Sequence, residues 1–137
     1  MKYDKLIIFT DGGARGNPGP AGIGCVLLDE PGNVVAEISE YIGETTNNQA
    51  EYKALLAGLT KAKELGAEKI EVFLDSELVV KQINREYRVK DKGLAPLFVK
   101  VYNLTLGFKK IVFSHIRREK NELADKLVNL ALDRAGK

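Results

Sequence analysis

The chain has 137 residues, 45% of them hydrophobic and 29% charged, and a net charge of +2. That length and balance fit one globular domain with a buried core and exclude a disordered chain, while no apolar run approaches the ~20 residues of a membrane-spanning helix. One cysteine and one histidine exclude an internal disulfide, a cysteine zinc site and a histidine-rich metal site, which leaves carboxylates as the main groups for chemistry.

Residues 5–10 are apolar at successive positions, as in a central strand buried on both faces. They follow the N-terminal Met-Lys-Tyr-Asp directly, so no signal peptide is expected. The run ends at Asp11-Gly12-Gly13, and residues 14–20 read as a turn-rich loop. This loop carries neither the glycine fingerprint of dinucleotide binding nor a phosphate-loop lysine. Residues 21–29 and 33–42 read as a hairpin turning at Glu30-Pro31-Gly32-Asn33. Alternation in its second arm predicts an edge strand with one wetter face. Cys25, within Ile23-Gly24-Cys25-Val26-Leu27, reads as a small core residue.

A helix over 48–65 follows, ended by Gly66 in the position of a left-handed cap. Leu55, Gly58, Leu59 and Ala62 form its apolar stripe, and Glu51 begins that stripe. An ionised carboxylate there is costly unless something compensates it. Two explanations stay open: a capping box with Asn48 as N-cap and Glu51 reaching back to it, or a functional acid. Residues 69–74 predict a fourth strand ending at Asp75, with Ser76 placed to cap a short helix over 77–84. A turn-like stretch (85–93) precedes a helix over 95–106, a last strand over 109–115 ending at His115, and a final helix from about Asn121 to Ala135. On that helix Asp125 shares the buried side with Val128 and Leu132. An opening meander followed by helical crossovers implies a single α/β domain over 1–137, a mixed sheet with helices on its faces.

Charge is unevenly spread. Lys81, Arg85, Arg88, Lys90 and Lys92 form one basic group, and Arg117, Arg118 and Lys120 another; each is either a solvated face or a track for phosphates. The abundance of Lys and Glu with one Met and one Cys hints at a thermophilic source.

Four acids resist a purely structural account. Asp11 and Asp75 end apolar strands, at the carboxyl edge where open α/β sheets bind ligands. Glu51 and Asp125 sit on helix stripes. A turn residue, a capping partner, an N-cap and a dipole complement would explain them one at a time. Four converging acids without a basic partner would raise one another's pKa. Hard divalent cations such as Mg²⁺ relieve that repulsion, and two of them bridged by a carboxylate suit in-line displacement at phosphorus. Residue chemistry alone therefore points to metal-assisted phosphodiester cleavage.

The segments Phe9-Thr10-Asp11-Gly12-Gly13, Gly16-Asn17-Pro18-Gly19-Pro20, Thr45-Thr46-Asn47-Asn48-Gln49-Ala50-Glu51, Leu74-Asp75-Ser76 and Asn121-Glu122-Leu123-Ala124-Asp125 together resemble the type 1 ribonuclease H family, in the style of its archaeal branch. The resemblance implies the ribonuclease H-like fold: a five-stranded mixed sheet with strand 2 antiparallel, strands 1 and 4 adjacent, and helices on both faces. It implies cleavage of the RNA strand of an RNA–DNA hybrid to 3′-hydroxyl and 5′-phosphate ends, by a cytoplasmic monomer using two Mg²⁺ ions, with Mn²⁺ as a substitute. By position Asp11, Glu51, Asp75 and Asp125 match the family's metal-binding carboxylates, Asp11 bridging both ions. Asn17, Asn47 and Asn48 match positions at the hybrid's minor groove, where amides can donate and accept, and Thr46 a position that holds a DNA phosphate.

The chain also departs from the family's pattern. Glu77 stands where many members carry Gln. His115, ten residues before Asp125, matches the auxiliary histidine but lacks its Gly-His surroundings, so catalytic help from His115 competes with a phosphate contact by Arg118. The basic protrusion of some members is absent between Ser76 and Phe108, which leaves Lys81, Arg85 and Arg88 to supply backbone attraction. Two alternatives remain: a same-fold nuclease with relaxed preference for double-stranded RNA or hybrid–DNA junctions, and a non-catalytic hybrid-binding module.

Overall fold

The computed structural model describes residues 3–137. The chain runs β1 (Lys5–Ala14), β2 (Gly19–Leu28), β3 (Val34–Thr45), α1 (Asn47–Glu64), β4 (Lys69–Leu74), α2 (Glu77–Ile83), α3 (Ala95–Thr105), β5 (Lys110–His115) and α4 (Glu122–Arg134), with one 3-10 turn at Arg118–Lys120. The five strands lie in the order β3-β2-β1-β4-β5. β1, β4 and β5 are parallel, and β2 is antiparallel to both its neighbours. The expected mixed sheet is therefore present, with β3 at one edge and the β1–β4 pair at its centre. Among the described residues no helix is long and apolar enough to cross a membrane.

Glycines set how closely the helices approach this sheet. On one face, a Cβ added at Gly58 of α1 would lie 3.3 Å from Ile8 and Thr10 and 3.5 Å from the Cys25 sulfur. The missing side chain lets α1 lie low over β1 and β2, where Leu6, Ile8, Tyr52, Leu55 and Leu59 close the core. Cys25 donates its thiol to the Ala54 carbonyl (3.2 Å), and burial pushes that thiol up to about 12. It is the small core residue its neighbours suggest. On the other face, a Cβ at Gly24 would fall 2.2 Å from the Ala124 carbonyl oxygen and 2.9 Å from Leu127, so α4 rests almost directly on the backbone of β2. Tyr52 ties α1 to α2 by donating its hydroxyl to Gln82 Oε1 (2.6 Å), both side chains being buried.

Two local expectations change. β1 continues four residues past Thr10, because its glycines pair on with β2 as far as Ala14↔Ala21; the connecting loop is correspondingly short. The cap of α1 is Thr46 with Gln49, not Asn48 with Glu51. Thr46 Oγ1 accepts the Gln49 amide (3.2 Å), and the Gln49 side chain accepts the Thr46 amide (3.5 Å). A Thr two residues earlier outcompetes Asn48, and Glu51 is released from capping. Leu123 of α4 is exposed, since the helix presents Ala124, Val128, Ala131 and Leu132 to the sheet. Ser76 does cap α2, accepting the Val79 amide (3.3 Å), so Asp75 is not the N-cap.

A substitution pair tests the role of close approach. Gly24→Ala forces backbone apart and should cost about 1–3 kcal/mol. Gly13→Ala, whose Cβ would meet only Val128 at 3.8 Å, should stay within about 1 kcal/mol of the parent. Urea denaturation of both variants measures the contrast.

Candidate active site

Pleating decides which acids can meet. Thr10 faces α1, as its contact with the Gly58 position shows, so Asp11 points to the opposite face. There its register partner is Gly24, the residue beneath Ala124 of α4. Asp11 and the first turn of α4 are thereby brought together. Gly12 turns back toward α1, and a Cβ on it would lie 2.3 Å from the Ala50 carbonyl group and 2.6 Å from the Glu51 nitrogen. Only glycine admits α1 this close. The Gly12 amide then donates to Glu51 Oε1, which fixes the Glu51 carboxyl against the end of β1. Asp75 arrives from the adjacent parallel strand, one residue beyond the Thr10↔Leu74 pair.

The result is a cluster in which oxygens of Asp11, Glu51 and Asp75 all lie within 4.8 Å of one another. Asp125 lines the same cleft of about 560 Å³ and its charge reaches Asp11, outside that tightest group of three. Asp11 is 9% exposed and Glu51 5%. Among the described residues no ion pair reaches any of the four acids. Burial is the main cause that pushes the Asp11 carboxyl from 3.8 up to about 7; the hydrogen bond with Glu51 works against it, and the charges of Asp75 and Asp125 add to it. Burial, then the charge of Asp11, raises Glu51 well above the ordinary carboxylate range.

Such a cluster is fitted to a cation. Glu51 Oε2 is buried with no hydrogen-bond partner, an uncommon condition for a carboxylate oxygen. The donor set is all oxygen, which suits Mg²⁺, Mn²⁺ or Ca²⁺ and not the thiolate- and imidazole-preferring metals. The Asp11–Glu51–Asp75 group could hold a metal ion.

Around the acids lies a polar rim. Asn17 Oδ1 accepts the Asn47 amide (3.0 Å) and Asn47 Oδ1 accepts the Ala14 amide (2.8 Å). Backbone N–H groups can only donate, so the side-chain orientations are fixed and both Nδ2 groups are turned outward. Sequence alone left these amides able to donate and accept; the fold presents them as donors. Asn47 and Asn48 line the cleft, and Thr46, engaged as the α1 cap, sits beside them. Arg118 lines the cleft as well, whereas His115 is not among its lining residues. His115 ends β5 opposite Leu74 and is exposed. Glu77 is paired with Lys81 (2.8 Å), so the departure at that position is already neutralised. Lys81 also lies 4.9 Å over the Tyr87 ring and Arg85 5.6 Å over Tyr102, a basic and aromatic surface next to α3.

Two side chains of the rim escaped the sequence reading. Arg15 pairs with Asp133 (2.9 Å) and donates to Asn129 (3.1 Å), latching the β1–β2 loop to α4. Asn121 donates to Asp75 (3.1 Å). Each acts across a large sequence separation, and no local pattern marks either.

Known proteins resemble this chain in sequence and fold. A family model described as reverse transcriptase-like matches residues 9–131. The chain is 45% identical over 131 residues to "Ribonuclease HI" of Halobacterium salinarum, covering 96% of this chain and 66% of that protein. It is 44% identical over 132 residues to "Bifunctional protein Rv2228c" of Mycobacterium tuberculosis, covering 96% of this chain but 36% of that protein; the chain thus spans about a third of its mycobacterial relatives. Among solved structures, LC11-RNase H1, isolated from compost and crystallised with an RNA/DNA hybrid, superposes with a TM-score of 0.92 at 50% identity, covering 96% of this chain and 99% of that one.

The raised carboxyls set a pH dependence for the metal-free protein. A group with a raised folded pKa stabilises the fold fully below its unfolded value and loses that contribution as pH rises through the folded one. For Asp11 the window lies between 3.8 and about 7. Glu51→Gln keeps the acceptor for Gly12 but removes a charge. In EDTA its Tm should exceed the parent's at pH 8, with the gain shrinking toward pH 5. Millimolar Mn²⁺ should raise the parent's Tm at pH 8 and the variant's less. Thermal melts of both proteins in the three conditions check both.

Proposed function

This chain belongs to the type 1 ribonuclease H family, and on that premise we propose that it is an endoribonuclease that hydrolyses the RNA strand of RNA–DNA hybrids, leaving 3′-hydroxyl and 5′-phosphate ends. The observation that carries the reading is the buried, unneutralised Asp11–Glu51–Asp75 cluster with Asp125 beside it. Those four residues would hold the divalent cations, Mg²⁺ with Mn²⁺ as substitute, that the all-oxygen donor set favours. When bound, such cations supply positive charge to the phosphate oxygens and a nucleophilic water at neutral pH.

The remaining roles fall to the chain's own groups. Gly12 holds Glu51 by its amide, so the carboxylate keeps its place when the cluster is occupied. Arg118, on the cleft wall, meets a non-bridging phosphate oxygen, a charge-assisted contact for which a guanidinium is suited. The outward Nδ2 groups of Asn17 and Asn47, with Asn48, donate to acceptors in the hybrid's minor groove, 2′-hydroxyl oxygens among them. Thr46, at the α1 N-terminus, receives a DNA-strand phosphate, where the helix dipole favours an anion.

The test is cleavage of an end-labelled hybrid beside an RNA duplex of the same sequence, with Mg²⁺, Mn²⁺ or EDTA. Metal-dependent cuts confined to the hybrid's RNA strand are expected. Cuts in both duplexes would replace hybrid specificity by a relaxed one, and tight binding without turnover would favour a binding module. Asp11→Asn should abolish cleavage, a loss beyond the roughly 10–100-fold of an outer-shell change.

Arg118→Ala should lower kcat/KM by roughly 10–100-fold, equivalent to about 1.4–2.7 kcal/mol of transition-state stabilisation. His115→Ala should change it by less than about threefold, under 1 kcal/mol on the same scale. Steady-state kinetics on one hybrid decides between the two residues.

A further inference from the structure

Asn121 stands at the N-cap position of α4, yet its side chain caps nothing. An asparagine there ordinarily uses its oxygen to accept an amide of the first turn, a bond whose loss costs about 0.5–2 kcal/mol. Here the side chain turns inward instead, and only 1% of the residue is exposed. Its Nδ2 donates to the Thr10 carbonyl (2.8 Å) and to Asp75 Oδ2 (3.1 Å). Both partners are pure acceptors, so the orientation of the amide is settled. Its Oδ1 is left buried without a partner. A local helix rule is broken where four functional segments meet, which is where such violations are expected.

The backbone of the same residue extends the connection. The Asn121 carbonyl accepts the Asp125 amide (3.1 Å), and its N–H donates to the Arg118 carbonyl (3.0 Å). One residue thus joins Thr10 of β1 next to Asp11, the Asp75 carboxylate, the first turn bearing Asp125 and the turn carrying Arg118. Asp75 is the member of the cluster that most needs such a link. Glu51 has its Gly12 amide and Asp11 lies within β1, paired with Gly24 of β2. Asp75 stands past the last paired residue of β4.

We infer that Asn121 is a positioning residue for the metal centre: by donating to Oδ2 it sets the rotamer of Asp75 and presents its other oxygen to the cation. The inference rests on the metal-binding reading of the cluster. Outer-shell donors of this type typically account for 10–100-fold in metal affinity.

The experiment reads metal binding without substrate. Serine caps helices as well as asparagine does, is uncharged, and is too short to replace the carboxamide. Asn121→Ser should therefore weaken Mn²⁺ binding about tenfold by calorimetry if the side chain positions Asp75, and leave it unchanged if the residue matters only for starting α4. In an Asp75→Asn background, Asn121→Ser should cause no further loss. Binding within twofold of the parent in the single variant would overturn the inference, as would an undiminished loss in the Asp75→Asn background. The wild-type protein gives an independent reading should a variant not fold. On titration with Mg²⁺, the Asn121 side-chain amide resonances should move saturably with occupancy, and resonances that stay in place would also overturn it. A wild type that binds Mn²⁺ without cutting hybrid would defeat the proposed activity while these measurements still decide Asn121.

Discussion

The structure depends on one close approach, that of the first turn of α1 to the β1 backbone at Gly12. Any side chain there would drive into the Ala50 carbonyl and lift the helix. With the helix in place, Glu51 is buried beside Asp11 and takes the Gly12 amide. The packing that closes the core on one face of the sheet therefore also gathers like charges that repel. Hydrophobic burial along α1, with Tyr52, Leu55 and Leu59 almost fully enclosed, supplies the driving force. The acids are carried into a low-dielectric position by a helix that is stable for other reasons.

The opposite face repeats the device. Gly24, with Gly22 nearby, lets α4 settle on β2, and because Gly24 is paired with Asp11, the closeness of that helix brings Asp125 to the cluster. Arg15 and Asn121 then pin the two ends of the cleft to α4 by charge and hydrogen bonds. Two helices from opposite faces thus converge on one strand end, and neither could do so over a sheet with ordinary side chains at Gly12 and Gly24. The site carries an electrostatic cost in the metal-free state, visible as raised carboxyl pKa values, which is the usual signature of a functional cluster.

Much of this was legible from the chain. β1, β4 and β5 are read from their apolar runs, α1 from its stripe and Gly66, and the order of elements from their succession. The four acids stood out because each broke a local expectation, and the matched segments around them named a family. Less legible were features decided between distant residues. The choice of Thr46 over Asn48 as cap depended on how Gln49 folds back. The continuation of β1 to Ala14 depended on β2 being there to pair with it. Arg118 and His115 are three residues apart and equally plausible in sequence; the turn at Arg118–Lys120 carries one to the cleft wall and the end of β5 leaves the other outside it.

By itself the sequence determined the elements, their α/β class and the identity of the acids, because these follow from local propensity, periodicity and residue chemistry. Only the tertiary structure decided that three acids share a space within 4.8 Å with the fourth alongside, that Asn17 and Asn47 face outward as donors, and that Asn121 serves Asp75 in place of its own helix. The physical reason is the same in each case. A side chain's hydrogen bonds and ionisation are set by what lies within a few ångströms, and for these residues every such neighbour comes from a segment tens of positions away.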